Sequence, residues 1–90
     1  MENKKYTNSE LIKAHNYSKN NRDCLSRSIS CGCFYCKKLF MANDVYDWVL
    51  DDDGQQTALC PYCGSDSIIG DDCVYPLKKD FLEAMHKYWF

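Results

Sequence analysis

The sequence predicts a single small α+β domain, on three observations. The chain has 90 residues, and a chain of this length buries too little surface for its core alone to give ample stability. Two C-x-x-C pairs, each flanked by short runs that favour β-strands, occupy the middle of the chain. Both ends carry patterns typical of helices. We therefore expect a cross-linked α+β domain in which helices flank a small antiparallel sheet.

The composition excludes several protein classes. The chain is 46% hydrophobic and 27% charged, which is not typical of disordered, low-complexity or collagen-like chains. No apolar run approaches the roughly 18–20 residues of a membrane-spanning helix, and the first residues lack the apolar core of a secretion signal. We predict a cytoplasmic protein that has no membrane partner.

The N-terminal segment starts with a helix. Thr7 is placed as its N-cap and Glu10, three residues later, as the capping-box partner. The predicted helix runs from about residue 8 to residue 17 or 19, and its narrow apolar stripe would pack along one edge of the domain. The polar stretch 18–27 is expected to be a loop.

The residues around the first C-x-x-C pair predict two strands joined by a turn. Residues 28–32 favour β-structure and lead into Cys33 and Cys36, and residues 38–41 can return as the second strand. This arrangement is the outline of a zinc knuckle, a tight turn that presents two thiolates to one metal ion.

A short helix is predicted between the two pairs. Asn43 is placed to cap it, and Val45, Trp48 and Val49 are spaced i, i+3 and i+4. Residues 51–54, three aspartates and a glycine, would end this inserted helix in a turn.

The second half repeats the first and ends in a helix. Residues 57–59 predict a strand into the pair Cys60 and Cys63, and residues 67–69 predict the strand that leaves it. Gly64 follows the pair, where a residue without Cβ would relieve crowding in the turn. The apolar residues of the C-terminal helix recur at helical spacing: Phe81, Leu82, Met85, Tyr88 and Trp89.

Two parts of one folding unit are predicted. Residues 1–27 form an N-terminal helix and polar loop, and residues 28–90 form the remaining domain with its C-terminal helix. The second part is predicted to be a zinc ribbon, because two C-x-x-C turns separated by 23 residues can supply four ligands to one Zn²⁺. The predicted ligands of this structural zinc ion are Cys33, Cys36, Cys60 and Cys63.

The seven cysteines allow other interpretations. A disulfide framework is disfavoured by the odd count and by the absence of a secretion signal. Cys60-Pro61-Tyr62-Cys63 is also the tetrapeptide that glutaredoxins use, but a turn and a strand follow it here instead of the helix that activates a redox thiol. Cys31 could replace Cys33 as a ligand, at a less favourable C-x-C spacing. Small buried side chains or partly exposed thiols are expected at Cys24, Cys31 and Cys73.

The remaining polar residues predict no catalytic site. Four thiolates would fill the coordination shell of zinc and leave no position for water or substrate. Neither histidine, His15 or His86, lies at ligand spacing to a cysteine, and a capping or surface role is expected for both. The run Asp51-Asp52-Asp53-Gly54 lacks the spacing and the closing glutamate of an EF-hand calcium loop. We expect a protein that is not an enzyme.

The distribution of charge predicts a protein partner. The net charge is −2, but residues 1–38 carry +5, residues 39–77 carry −8 and the last thirteen residues carry +1. The acidic middle, with Tyr46, Trp48 and the aspartates at 51–53, would bind a basic partner. Alternatively, these aspartates form only a solvated face.

Nucleic-acid binding is the second function weighed. Basic side chains lie along the first part of the chain and could line one face, with Tyr6, Tyr17 and Tyr35 available to stack on bases. The acidic middle disfavours this function, since it would repel phosphates. The basic residues concerned are Lys4, Lys5, Lys13, Lys19, Arg22, Arg27, Lys37 and Lys38.

Several segments together resemble a family of short bacterial and phage cytoplasmic proteins, known only as small zinc-ribbon proteins. They are residues 31–36, residues 57–64 with 69–71, and the tail from Tyr75-Pro76 to Phe90. The resemblance implies a zinc-ribbon fold with Cys33, Cys36, Cys60 and Cys63 as ligands, and it implies no activity. If the protein is phage-borne, it could inhibit a host enzyme by occupying a basic groove.

Overall fold

The computed structural model of this protein describes residues 6–74 and 77–90. Lys4 and Lys5, two of the predicted basic residues, and the Tyr75-Pro76 pair lie outside the described residues. Three α-helices occur in the described residues: α1 Asn8–His15, α2 Arg22–Ser26 and α3 Lys79–Trp89. The five strands are β1 Ser30–Cys33, β2 Leu39–Met41, β3 Asp47–Leu50, β4 Gln56–Leu59 and β5 Ile68–Gly70.

The strands form two antiparallel sheets. The larger has the order β2-β1-β5, and the smaller is the β3-β4 hairpin. In the larger sheet Cys31 of β1 lies between Phe40 of β2 and Gly70 of β5. In the hairpin Trp48 is opposite Ala58. The predicted α+β fold with a small antiparallel sheet is confirmed.

The N-terminal helix is confirmed, whereas the loop after it is corrected. The Thr7 side chain accepts a bond from the backbone of Glu10, and the Glu10 side chain bonds back to Thr7, which is the predicted capping box. A 3₁₀ turn, Asn16–Ser18, continues α1. Within the predicted loop lies α2, which buries Cys24 and Leu25. Leu25 packs into the hydrophobic cluster between the sheets, and this contact stabilises a helix that polar composition alone did not predict.

The helix predicted between the two cysteine pairs is wrong. Only a 3₁₀ turn, Ala42–Asp44, precedes β3. The β-branched and aromatic residues here can pair in a sheet, and the turn at Asp51–Gly54 brings β4 alongside to pair with them. Tertiary pairing therefore overrides the helical spacing.

The larger sheet has a hydrophobic cluster on each face. Adjacent residues of β5 point to opposite faces, with Ile68 in one cluster and Ile69 in the other, and both are fully buried. Helix α3 covers the second face with Phe81, Leu82 and Met85, as predicted. The helix packs tightly on β1, because a Cβ at Gly32 would lie 2.7 Å from Leu82 Cδ1.

The N-terminal segment, α1 and the preceding Tyr6, contacts both ends of α3. Tyr6 Oη donates a hydrogen bond to Asp80 Oδ1 at 2.8 Å, and the rings of Tyr6 and Phe81 meet edge to face with centroids 4.8 Å apart. At the other end, Trp89 Nε1 donates to the carbonyl of Leu11 at 3.4 Å. The N-terminal helix is thus packed onto the C-terminal one.

A buried asparagine joins the two sheets. Asn21 is only 2% exposed. Its Nδ2 donates to the Ile68 carbonyl of β5 at 2.9 Å, and its Oδ1 accepts from the Ala58 backbone N–H of β4 at 3.0 Å. Next to it, the backbone N–H of Asn20 donates to Thr57 Oγ1 at 2.8 Å. These bonds satisfy backbone groups that would otherwise be buried without partners.

Candidate metal centre

The four predicted ligands converge on one point. The Sγ atoms of Cys33 and Cys63 lie 3.7 Å apart, and so do those of Cys36 and Cys60. All four sulfur atoms lie within 4.8 Å of one another, so this group could hold a metal ion. A tetrahedral zinc ion with Zn–S bonds of about 2.3 Å requires sulfur atoms about 3.8 Å apart. The arrangement therefore fits four-thiolate coordination.

The first knuckle is a tight turn at the end of β1. The backbone N–H of Lys37 donates to the Cys33 carbonyl at 2.7 Å, and the Cys33 N–H donates to the Lys38 carbonyl at 3.0 Å. Lys37 has a φ of 66°, a left-handed conformation that non-glycine residues seldom adopt. The turn directs Cys33 and Cys36 toward the second pair.

The second knuckle repeats these bonds. The Gly64 N–H donates to the Cys60 carbonyl at 2.9 Å, and the Cys60 N–H donates to the Ser65 carbonyl at 2.9 Å. Gly64 has a φ of 79°, and nothing lies within 4 Å of the position that a Cβ would take. Glycine is therefore suited to this turn by its backbone conformation, not by the crowding that the sequence suggested.

The four thiols differ in burial and in protonation. Cys33 and Cys60 are buried, Cys36 is half-buried and Cys63 is exposed. Burial raises the pKa of Cys33 far above its usual range. Burial also acts to raise the pKa of Cys60, but hydrogen bonds from the backbone N–H groups of Tyr62 and Cys63, together with those from the Cys36 and Cys63 thiols, outweigh it and leave that pKa lowered. Backbone donors thus favour a thiolate at Cys60.

The structure separates Cys33 from its neighbour Cys31. The Cys33 sulfur belongs to the group of four, whereas that of Cys31 does not. Cys31 is fully buried in the cluster between the sheets, and burial raises its pKa to about 12. Cys31 is therefore a small buried side chain, as the sequence suggested.

Cys24 and Cys73 form a disulfide, so the expectation that each is a separate buried side chain or thiol is wrong. Their Cα atoms lie 6.3 Å apart, and the bond joins α2 to the segment after β5 across a sequence separation of 49 residues. No local motif marks such a pair. Asp72 completes a second group that could hold a metal, but the two sulfur atoms are bonded to each other and offer no thiolate.

Both histidines pack against aromatic residues. The ring of His15 lies 4.0 Å from that of Trp89, centroid to centroid. His86 Nδ1 is 3.1 Å from the carbonyl of Phe34, a residue of the first knuckle. His86 therefore braces that knuckle against α3, and neither histidine belongs to the thiol group.

A basic cleft lies beside the two knuckles. Lys37, Lys38 and Lys79 line it together with Glu83 and the exposed ring of Tyr62, so cations outnumber carboxylates there. Lys38 Nζ lies 5.0 Å from the centroid of that ring. Tyr6, one of the tyrosines expected to stack on bases, is instead bonded to Asp80.

The predicted acidic surface is the tip of the β3-β4 hairpin. The aspartates at 51–53 are exposed in the turn, and Tyr46 at the start of the hairpin is 75% exposed. Trp48 instead packs partly against the core between the sheets, and the Arg22 guanidinium lies 4.7 Å above its ring. The surface is thus acidic and aliphatic, with one exposed tyrosine.

Comparisons of the chain with protein-family models, with curated proteins and with solved structures find no match. Among residues 6–74 and 77–90, no helix is both long and apolar enough to cross a membrane. The assignment of the thiol group depends on its own geometry and donor chemistry.

Proposed function

We propose that the four cysteines bind one Zn²⁺ ion and that this ion has a structural role. The observation that supports the proposal is the set of two 3.7 Å sulfur pairs within one group of four thiols. Four thiolates suit zinc, and they leave no coordination position for a water molecule or a substrate. We therefore propose that the protein is not an enzyme of the metal-hydrolase kind.

The position of the thiol group explains what the metal would stabilise. One knuckle joins β1 to β2, and the other joins β4 to β5. A bound ion would thus cross-link the hairpin to the larger sheet at the ends of their strands. Structural zinc of this kind contributes on the order of 10 kcal/mol to the folding of small domains.

We further propose that the zinc-bound domain is an interaction module for a basic protein. The support is the exposed hairpin, whose turn carries three aspartates next to the exposed Leu50, together with the exposed Tyr46 just before β3. Such a surface attracts cationic partners over a distance comparable to the Debye length. A regulator or inhibitor of an enzyme with a basic groove would use it in this way.

The test has a metal arm and a partner arm. Native mass spectrometry with elemental analysis is expected to find one zinc per chain, and circular dichroism is expected to show loss of structure after chelation.

In the partner arm, proteins captured by the wild type are compared with those captured by the triple variant in which Asp51, Asp52 and Asp53 become Lys. A variant with Asp23→Lys, Asp66→Lys and Glu83→Lys, three exposed positions elsewhere, makes the same change in net charge and is the control. An unchanged set of captured proteins in the triple variant contradicts the interaction role.

Nucleic-acid binding is the second candidate, because of the basic cleft beside the knuckles. Three lysines and an exposed tyrosine ring are the chemistry that single strands require for phosphate contact and base stacking. A gel shift with single-stranded RNA and DNA at low salt tests it, with Tyr62→Ala and Lys38→Ala as variants. The absence of any complex with the wild type would exclude this candidate.

A further inference from the structure

The outer edge of β3 is an unpaired strand edge. Among the described residues, β3 pairs only with β4. The opposite edge of the hairpin is covered, because the segment at Asn20 and Asn21 bonds to Thr57 and Ala58 of β4. Within residues 6–74 and 77–90, the β3 edge of the hairpin is therefore the one left open to another strand.

The hydrogen-bond alternation of the hairpin identifies which backbone groups face outward. The Asp51 N–H donates to the Gln55 carbonyl, so this opposed pair is hydrogen-bonded. In an antiparallel ladder, hydrogen-bonded and non-hydrogen-bonded pairs alternate. Moving away from the turn, the next pair is therefore non-hydrogen-bonded, and it consists of Leu50 and Gln56. The same holds two pairs further on, where Trp48 is opposite Ala58. The bond from the Ala58 N–H to Asn21 agrees, since that N–H points away from β3.

The N–H and C=O groups of Trp48 and Leu50 consequently point away from the hairpin. Two residues with outward donors and acceptors are the backbone template that an added strand needs. The Leu50 side chain beside them is 67% exposed. Natural edge strands are often protected by lysine, proline or a bulge, and the segment from residue 39 to residue 77 holds no Lys or Arg.

The charge along this edge indicates which strand fits. Asp47 and Asp51 flank the outward-facing backbone, and both are exposed. An added strand with lysine or arginine at alternate positions would place cations near these carboxylates. A second copy of β3 pairing antiparallel would instead bring the two sets of aspartates together, which is unfavourable. Nucleic acid is disfavoured by the same carboxylates.

We propose that the outer edge of β3 binds an extended, lysine- or arginine-containing segment of a partner protein as the third strand of the hairpin sheet. This inference rests on the proposed interaction function and specifies its binding mode. Backbone hydrogen bonds to Trp48 and Leu50 supply the alignment, and the flanking carboxylates select a cationic segment.

Leu50→Pro is the direct test of this binding mode. Proline at this position removes an outward N–H without removing a bond to β4, and edge strands tolerate proline there. Leu50→Ala is the matched control, because it shortens the same side chain and keeps the N–H. The probe is an acetylated nine-residue peptide of alternating lysine and valine, added to isotope-labelled zinc-loaded protein and followed by NMR.

The expected result has three parts. In the wild type, the peptide slows hydrogen exchange at the Trp48 and Leu50 amides. The Leu50→Ala variant also binds the peptide. The Leu50→Pro variant binds the peptide at least about tenfold more weakly than Leu50→Ala does. A peptide N-methylated on alternate residues tests the same bonds without altering the protein. Methylation on one set of alternate residues should abolish binding, whereas methylation on the other set should not.

Several outcomes would overturn the proposal. The first is that Leu50→Pro and Leu50→Ala bind the lysine-valine peptide with equal affinity. The second and third are that the wild type binds a glutamate-valine peptide equally well, or does not bind the lysine-valine peptide. The fourth is that the wild type forms a dimer that Leu50→Pro disrupts. The binding mode and the interaction function fail separately. Partner capture that is lost when Asp51, Asp52 and Asp53 become Lys but kept in Leu50→Pro contradicts only the added strand.

Discussion

Lys37 and Gly64 occupy equivalent positions in the two knuckles, each directly after the second cysteine of its pair. Each donates its backbone N–H to the carbonyl of the first cysteine, Cys33 or Cys60. Their φ angles, 66° and 79°, are both left-handed. The two turns thus have one backbone design, which glycine adopts at no steric cost and lysine adopts under strain.

This equivalence predicts opposite effects of two substitutions. Lys37→Gly should raise the free energy of unfolding of the metal-loaded protein by up to about 1 kcal/mol, because it relieves the left-handed strain. Gly64→Ala should lower it by about 1–2 kcal/mol, although a Cβ there meets no neighbour. Denaturant unfolding measures both. A stabilising Gly64→Ala would contradict the backbone explanation.

Metal binding should depend on pH. Thiols must lose their protons to bind a metal ion, so the affinity for zinc should fall as the pH is lowered. The raised pKa of Cys33 adds to this proton competition. Zinc competition with a chromophoric chelator at several pH values measures the dependence.

Cys63→Ser should bind zinc much more weakly, whereas Cys31→Ala, which alters a thiol outside the group, should keep one zinc per chain.

The Cys24–Cys73 disulfide should stabilise the fold independently of the metal. It closes a loop with a sequence separation of 49 residues, and a cross-link of this span contributes about 2–4 kcal/mol by restricting the unfolded chain. A Cys24→Ser and Cys73→Ser double variant should lose that amount in denaturant unfolding and still bind zinc. Reductant should destabilise the wild type and leave the double variant unchanged. Equal sensitivity of the two proteins would contradict the assignment.

The site could be predicted from sequence because its determinants are local. A C-x-x-C turn positions two thiols by its own backbone geometry, so spacing alone identified Cys33, Cys36, Cys60 and Cys63. The capping box and the apolar stripe of α3 are local in the same sense. In contrast, β3 depends on pairing with β4, and its residues also match a helical spacing. The disulfide depends on two distant segments meeting.

Asn21 illustrates the same limit and gives a further prediction. It bonds to the backbone of both sheets, and nothing in its neighbourhood in the sequence indicates this. Asn21→Ala should leave the N–H of Ala58 and the carbonyl of Ile68 without these partners, at a cost of about 2–4 kcal/mol. Asn20→Gly is the matched control, because Asn20 has a φ of 50° and contributes only its backbone to Thr57. Equal stability of the two variants would contradict the bridging role.

Tyr6 predicts a specific loss of stability at alkaline pH. Burial, together with the hydrogen bond to Asp80, raises the pKa of Tyr6 to about 12 from its ordinary value of 10.0. Above pH 10 the unfolded chain loses this proton and the folded chain keeps it, so the unfolded state is favoured as the pH rises. The contribution of Tyr6 is complete below pH 10 and is lost between about pH 10 and 12.

The Tyr6→Phe variant isolates this effect. Phenylalanine keeps the ring that packs on Phe81 and removes both the titrating group and the bond to Asp80. The variant should be less stable than the wild type at pH 8, and its stability should decline less steeply above pH 10. Chemical denaturation of both proteins over this range measures the difference. Parallel pH profiles would show that Tyr6 titrates alike in the folded and unfolded chains, and would contradict its hydrogen-bonded role between α1 and α3.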